Sequence, residues 1–289
     1  MSVSQVMEEV YRGRIAPTPT GYLHLGHART FWIAAERACR SNGVLVFRNE
    51  DLDLSRCKPS FATAALEDLR WLGLNWPEGP DVGGPFSPYN QSERLAWYLQ
   101  VWKLLNATGT IYPSPHSRKD VADALVAPHD SDGEPIFPTN LRPAKGDGRK
   151  CFEPGEVNWR FQVPDGRRMS FLDGRVGRIT RTAGIDFGDF LVWRKDGFPS
   201  YELAVVADDY AMQISEVVRG EDLLTSTARQ LLLYEALGWT PPAWFHCPLM
   251  TDEQGVRLAK RNDALSLREV RARGAVPSEW FDAWCTLLD

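Results

Sequence analysis

Apolar positions along the first 125 residues change period repeatedly. Val44-Leu-Val-Phe47, after Gly43, is a short buried-strand pattern. A helical spacing precedes it from Ala28 to Arg40, and a second runs from Ser60 to Leu72 and stops at Gly73. A third covers Gln91 to Leu105 and ends near Gly109. Such alternation predicts a parallel sheet flanked by helices. The pattern dissolves between Ala127 and Gly155, where Pro, Gly and Asp dominate, which predicts an insertion or mobile loop. Trp159 to Val163 and Arg168 to Arg181 then read as strands of a small subdomain. Alternation returns at Phe190-Leu-Val-Trp193 and Ile214 to Val218, followed by helices at Thr227 to Leu237 and near the C-terminus. The order suits an α/β fold: a Rossmann-type parallel sheet, split by a small α+β insertion, with a short helical C-terminal region. The expected divisions are 1–110 and 190–249 for the two halves of the core, 111–189 for the insertion, and 250–289 for a basic loop and terminal helices.

Composition narrows the class. The 289 residues are 43% hydrophobic and 25% charged, as in ordinary globular proteins. A net charge of −5 excludes a globally basic nucleic-acid binder but leaves room for a local basic face. Five cysteines, none spaced as a metal knuckle, and no long apolar run predict a reduced, cytoplasmic protein without a membrane segment.

Chemistry concentrates at three places. Arg14-Ile-Ala-Pro-Thr-Pro-Thr-Gly21 is a rigid loop after a strand, and it leads into His24-Leu-Gly26-His27. The spacing places two imidazoles on one face of a helix start, where backbone N–H groups attract phosphate. Gly26 would let a ligand approach the backbone closely. Arg48-Asn-Glu50-Asp-Leu-Asp53 follows the second strand, where open α/β sheets bind ligands; it could equally be a solvated acidic loop that caps the next helix. Gly255-Val-Arg257-Leu-Ala-Lys260-Arg261 offers cations for a triphosphate, or is solvated surface.

Together these segments resemble the class I aminoacyl-tRNA synthetases. His24 to His27 matches the HIGH motif, and Arg257 to Arg261 stands where KMSKS belongs. Arg14 to Gly21, Arg48 to Asp53, Gln91 to Arg94, Tyr201 to Ala204 and Val218 to Leu223 resemble the glutamyl branch. The chain stops soon after the KMSKS-like loop, and in this it resembles the truncated paralogues, the glutamyl-Q tRNA(Asp) synthetase family. The resemblance implies ATP-dependent activation of L-glutamate without tRNA, then transfer to queuosine in the anticodon loop of tRNA(Asp). It implies His24, His27 and Lys260 as catalytic residues, and His24, Gly26, His27, Arg257 and Lys260 at ATP. It implies Arg14, Thr18, Glu50, Tyr201 and Arg219 around glutamate, with Mg²⁺ on the phosphates and a monomeric protein. A fragment of a discriminating glutamyl-tRNA synthetase, charging tRNA 3′ ends, is the alternative.

Two departures stand out. Where family members carry zinc ligands, this chain has Ser114, His116, Phe137 and Leu141, so zinc is not expected. Arg257 and Ala259 depart from KMSKS while Lys260 is kept, which predicts slowed rather than abolished activation.

Overall fold

The structure, a computed structural model, describes residues 10–116, 136–143, 153–251 and 265–288. Its chain forms two compact units: Met1–Asn90 with Gln213–Gly220 and Pro242–Asp289, and Gln91–Met212 with Glu221–Pro241.

In the first unit, β1 (Arg12–Ile15) and β2 (Val44–Phe47) pair in parallel, Arg14 opposite Val46. The connection between them is helix α1 (Leu25–Arg40), the crossover that a parallel pair requires. A second parallel pair joins β8 (Glu216–Gly220) to β9 (Ala243–Cys247). β8 lies beside β1: Ser215 N–H donates to the Arg12 carbonyl at 2.9 Å, and Arg12 N–H donates to the Ser215 hydroxyl at 2.8 Å. All four strands present apolar residues toward one core. Ile15, Ile33, Phe47, Leu69, Leu72, Val218, Phe245 and Leu267 are buried in it. α2 (Pro59–Trp71) also covers it, and the chain turns after that helix at Gly73, whose φ of +91° suits glycine. Two C-terminal helices, Leu267–Ala272 and Ser278–Cys285, close the unit. Phe281 stacks on Trp32 at 5.1 Å between ring centroids, Trp284 meets Trp32 edge to face at 5.8 Å, and Trp280 meets Trp71 at 6.1 Å.

A partly buried ion pair ties α1 to β8. Arg37 donates twice to Glu216, Nε to Oε2 and Nη2 to Oε1, each at 2.8 Å. Tyr11 O–H donates to the same carboxylate at 2.6 Å. Burial, and then the Glu216 charge, push the Tyr11 phenol far above its ordinary range, so it stays a donor. The Arg37 guanidinium lies 4.0 Å from the centre of the Phe245 ring.

The second unit is mostly antiparallel. β3 (Ile111–Ser114), β4 (Asn158–Phe161) and β7 (Phe190–Trp193) form a sheet in the order β3-β4-β7. The strand pattern at Phe190–Trp193 therefore does not continue the parallel alternation expected of it. Its partner, Trp159 to Phe161, is remote in sequence, and periodicity carries no information about partners. β5 (Arg168–Asp173) and β6 (Gly177–Thr182) form a hairpin. Among its described residues the unit also has three α-helices: α3 (Leu95–Thr108), which ends at left-handed Gly109, Tyr201–Ala211, and Leu224–Leu237. Most of the stretch expected as an irregular insertion, 127–155, lies outside the described residues; a short 3-10 turn occupies Thr139–Leu141.

Asp189 is the hub of this unit. It accepts from Tyr112 O–H at 2.6 Å, from Arg142 Nε at 2.8 Å and Nη2 at 2.7 Å, and from the Val163 N–H at 2.9 Å. The segment 136–143 is thereby held by an ion pair and apolar packing. Phe137 is buried beneath the Arg160 guanidinium, 4.1 Å from the ring centre, and Leu141 is half-buried in its turn. Ser114 is buried in β3. Among the described residues no group of three or more His, Cys, Asp or Glu is arranged to hold a metal ion.

Candidate active site

The loop from Ala16 to Leu23 ends at His24, the N-cap of α1, and the cap is made by imidazoles. His24 Nδ1 accepts the Gly26 N–H at 3.0 Å, and His27 Nδ1 accepts the His24 N–H at 3.3 Å. Both rings thus act as acceptors at Nδ1, which places the proton of each neutral imidazole on Nε2. The rings lie 3.8 Å apart between centroids, tilted by 40°. His24 is buried and His27 half-buried. A Cβ at residue 26 would meet His24 Cε1 at 2.9 Å and Nδ1 at 3.0 Å, so the cap itself already requires a glycine.

Two further segments come to this helix start. Leu267 N–H donates to the Leu23 carbonyl at 2.7 Å, and Ser266 forms a bridge to His24. On the other side, the Arg29 guanidinium donates to the Pro248 carbonyl. Arg257, Ala259, Lys260 and Arg261 lie outside the described residues, between these two anchor points in sequence.

The other expected residues of the first unit gather at the carboxyl ends of its parallel strands. Arg14, penultimate in β1 and buried, donates from Nη1 to the Val218 carbonyl at 2.7 Å. That carbonyl precedes Arg219, so the two arginines enter from adjoining strands. Arg219 is buried and sits over Trp244, 4.8 Å from the ring centre. Glu50 follows β2, and its N–H donates to the Pro17 carbonyl at 3.0 Å, beside exposed Thr18. Tyr201 belongs to the second unit, where it is the first residue of its helix and 40% exposed; the Ser200 hydroxyl caps that helix by accepting the Leu203 N–H.

The sequence reading assigned no role to two further residues. Arg48, fully buried, donates from Nη2 to Glu50 Oε1 at 3.0 Å and fixes that carboxylate. His246, also fully buried, accepts from Arg219 Nε. Arg48 could have been flagged, because an arginine two residues from a glutamate in an extended segment falls on the same side. His246 carries no local signal, since its relation to Arg219 arises from strand pairing.

Comparison with known proteins agrees with this geometry. The catalytic domain of the class I tRNA synthetases (E and Q) matches residues 10–287. The glutamyl-Q tRNA(Asp) synthetase of Symbiobacterium thermophilum is 46% identical over 270 residues, covering 92% of this chain and 82% of that protein. The enzyme of the same name from Nitratidesulfovibrio vulgaris is 42% identical over 279 residues, covering 96% and 86%. Among solved structures, the glutamate-tRNA synthetase of Elizabethkingia anophelis superposes with a TM-score of 0.80 at 27% identity, covering 96% of this chain and 61% of that one. The chain spans about three fifths of that larger enzyme. With a strand-loop-helix start capped by two imidazoles and a family match running nearly end to end, the chain belongs to the class I tRNA synthetases of the E and Q group.

Proposed function

We propose that this protein activates L-glutamate with ATP and transfers it to queuosine in the anticodon loop of tRNA(Asp). The observation that carries the reading is the likeness, at 42–46% identity over more than four fifths of each relative, to two proteins named glutamyl-Q tRNA(Asp) synthetase. The site chemistry is consistent with it. An oxygen of the glutamate α-carboxylate attacks the α-phosphorus of ATP, the bond to the β-phosphate bridge breaks, and pyrophosphate leaves. A cyclopentenediol hydroxyl of queuosine then attacks the carbonyl carbon, an ester forms, and AMP departs. Neither step needs a protein nucleophile, so positioning and charge stabilisation supply the catalysis.

In this reading His24 and His27 offer Nε2–H donors to the phosphates at the N-terminus of α1. Gly26, having no side chain, leaves room for the phosphates to approach the helix start closely. Lys260 and Arg257 neutralise the leaving pyrophosphate. Mg²⁺, when bound, would neutralise charge on the phosphates, where it ordinarily needs few protein ligands. Glu50, oriented by Arg48, accepts from the α-amino group, while Arg14 and Arg219, with Thr18 and Tyr201, receive the rest of glutamate. A guanidinium pairs bidentately with the side-chain carboxylate; glutamine would leave it partly unpaired, and aspartate falls one methylene short. The division of the chain at 110, 189 and 249, the monomeric state and the independence from zinc belong to the same reading. No helix among the described residues is long and apolar enough to cross a membrane.

The test uses labelled glutamate, ATP and tRNA(Asp) with or without queuosine, followed by nuclease digestion and nucleoside mass spectrometry. Glutamate on queuosine is the expected result, together with glutamate-dependent exchange of pyrophosphate into ATP without tRNA. Glutamate on the 3′ adenosine would instead support the likeness to the larger glutamate-tRNA synthetase.

A further inference from the structure

The β5–β6 hairpin of the second unit is charged unlike the rest of the chain. Between residues 167 and 181 there are five arginines and a single acidic residue, Asp173, in a protein of net charge −5. Strand alternation sorts them. On β5, Met169, Phe171 and Asp173 are buried, while Arg168, Ser170 and Leu172 are exposed. The antiparallel register sets Thr182 opposite Arg168, Thr180 opposite Ser170 and Arg178 opposite Leu172. Directly opposed residues share a face. One face of the ribbon therefore carries a guanidinium at each end and hydroxyls between them. The Ser170 and Thr180 hydroxyls are joined at 2.9 Å, and Leu172 stands 72% exposed beside Arg178.

The arginines differ in what they already do. Arg167 makes a bidentate pair with Glu235 at 2.8 Å, and Arg175 pairs with Glu221. Arg181 donates to the Thr180 carbonyl at 3.1 Å. The side chains of Arg168 and Arg178 make no hydrogen bond or ion pair with any described residue. Two uncompensated cations on one flat face, in an acidic protein, favour a polyanion as their partner.

We infer that this face of the β5–β6 hairpin binds the sugar-phosphate backbone of the RNA substrate through Arg168 and Arg178. The inference rests on the RNA substrate proposed above and adds the surface that grips it. Arginine, serine and threonine are the side chains that meet phosphate and sugar oxygens in nucleic-acid complexes. Serine and threonine hydroxyls can exchange hydrogen bonds with 2′-hydroxyls. The six residues of the face include no aromatic ring on which a base could stack, so the contact reads the backbone and not the bases. Four residues of strand separate Arg168 from the level of Arg178, about 13 Å at the usual rise. Phosphates recur along a strand at shorter intervals, so one RNA segment can meet both guanidiniums.

The experiment compares wild type with Arg168→Ala, Arg178→Ala and the double variant. Both side chains are exposed and unpaired, so folding should be unchanged by thermal melting, and tRNA-free pyrophosphate exchange should match wild type. Binding of tRNA(Asp), measured from 50 to 200 mM salt, should weaken several-fold for each single variant and more than tenfold for the double. The slope of log affinity against log salt should shrink by about 0.7–0.9 for each lost phosphate contact. Unchanged affinity and slope in the double variant would overturn the inference, as would an equal loss of tRNA-free exchange. The two readings separate cleanly. A wild type that binds tRNA(Asp) with the arginine-dependent slope but leaves queuosine unmodified keeps this surface and loses the proposed acceptor. Variants that glutamylate queuosine with wild-type tRNA dependence lose the surface and keep the acceptor.

Discussion

Arg219 and His246 face each other across the β8–β9 pair, the Arg219 Nε–H donating to His246 Nε2 at 3.2 Å. Both are buried, and the guanidinium also rests over Trp244. An arginine held from one edge and one face keeps its remaining N–H groups aimed in a fixed direction. His246 therefore positions the group proposed to receive glutamate without touching glutamate itself.

Replacing His246 tests that division of labour. His246→Ala leaves Arg219 Nε without this acceptor, and the KM for glutamate in pyrophosphate exchange should rise about tenfold with a smaller change in kcat. His246→Gln keeps an acceptor oxygen and should recover part of the loss. A drop in kcat alone, with KM unchanged, would count against the positioning role.

The imidazole cap of α1 separates structure from chemistry. Asparagine is a good N-cap, so His24→Asn should keep stability within about 1 kcal/mol. The same change removes the Nε2–H donor and should cost on the order of 2–4 kcal/mol of transition-state stabilisation in exchange assays. Gly26→Ala should behave in an informative way. Alanine is favoured over glycine in helices by about 1 kcal/mol, yet its Cβ would displace the His24 ring. Exchange should fall while the melting temperature holds or rises; unchanged exchange would show that the ring position is not critical.

Glu78 supplies a pH signature. It accepts from Arg12 Nη1 and Nη2 at 2.9 and 2.8 Å and from Tyr89 O–H at 2.8 Å. Burial alone would raise its pKa, but the bonds from Arg12 and Tyr89 outweigh burial and hold it below its ordinary 4.5. Burial likewise pushes the Tyr89 phenol up to about 12. A carboxylate with a depressed pKa adds stability that is fully present above 4.5 and lost as pH falls below it. Glu78→Gln should cost about 3 kcal/mol in urea unfolding at pH 7. The gap to wild type should narrow as pH falls below 4.5; a constant gap would refute the linkage.

The second unit gives a prediction about metal. Arg142 and Asp189, with Tyr112, hold the segment in which Phe137 and Leu141 stand at positions where the family resemblance implies zinc ligands. Protein purified without chelator should contain no stoichiometric zinc, and chelator should leave its melting temperature unchanged. Asp189→Asn, by contrast, should destabilise by about 1–3 kcal/mol, since Arg142 and Tyr112 lose a charged acceptor while Arg142 keeps its second carboxylate, Asp165. Zinc at one equivalent, lost together with folding, would show that the insertion supplies metal ligands from other positions.

How far the chain could be read in advance follows from the range of each interaction. β2, β7 and the helix ending at left-handed Gly109 came from periods and punctuation within about fifteen residues, and the structure places them there. The parallel crossover β1-α1-β2 was legible for the same reason. The antiparallel order β3-β4-β7 was not, because residues 111 and 161 meet only through tertiary pairing. Site residues followed the same rule. His24 and His27 announced themselves by spacing, but their capture of backbone N–H groups at Nδ1 did not. Tyr11, Arg37 and Glu216 are scattered through the chain, and nothing local in the sequence links them.

That last trio bears on how accurately two reactants can be brought together. α1 carries His27 ten residues before Arg37, and β8 carries Arg219 three residues after Glu216. The Arg37–Glu216 clamp thus fastens the helix proposed to meet phosphate to the strand proposed to meet glutamate, about 15 Å of helix away from His27. Thermal drift of one anchor is transmitted to the other instead of adding to the error between them. In a reaction that depends on placement rather than on a nucleophile, an approach error of a single ångström can cost about a hundredfold in rate. The clamp is in effect the dimensional tolerance of the reaction, set far from any atom that reacts.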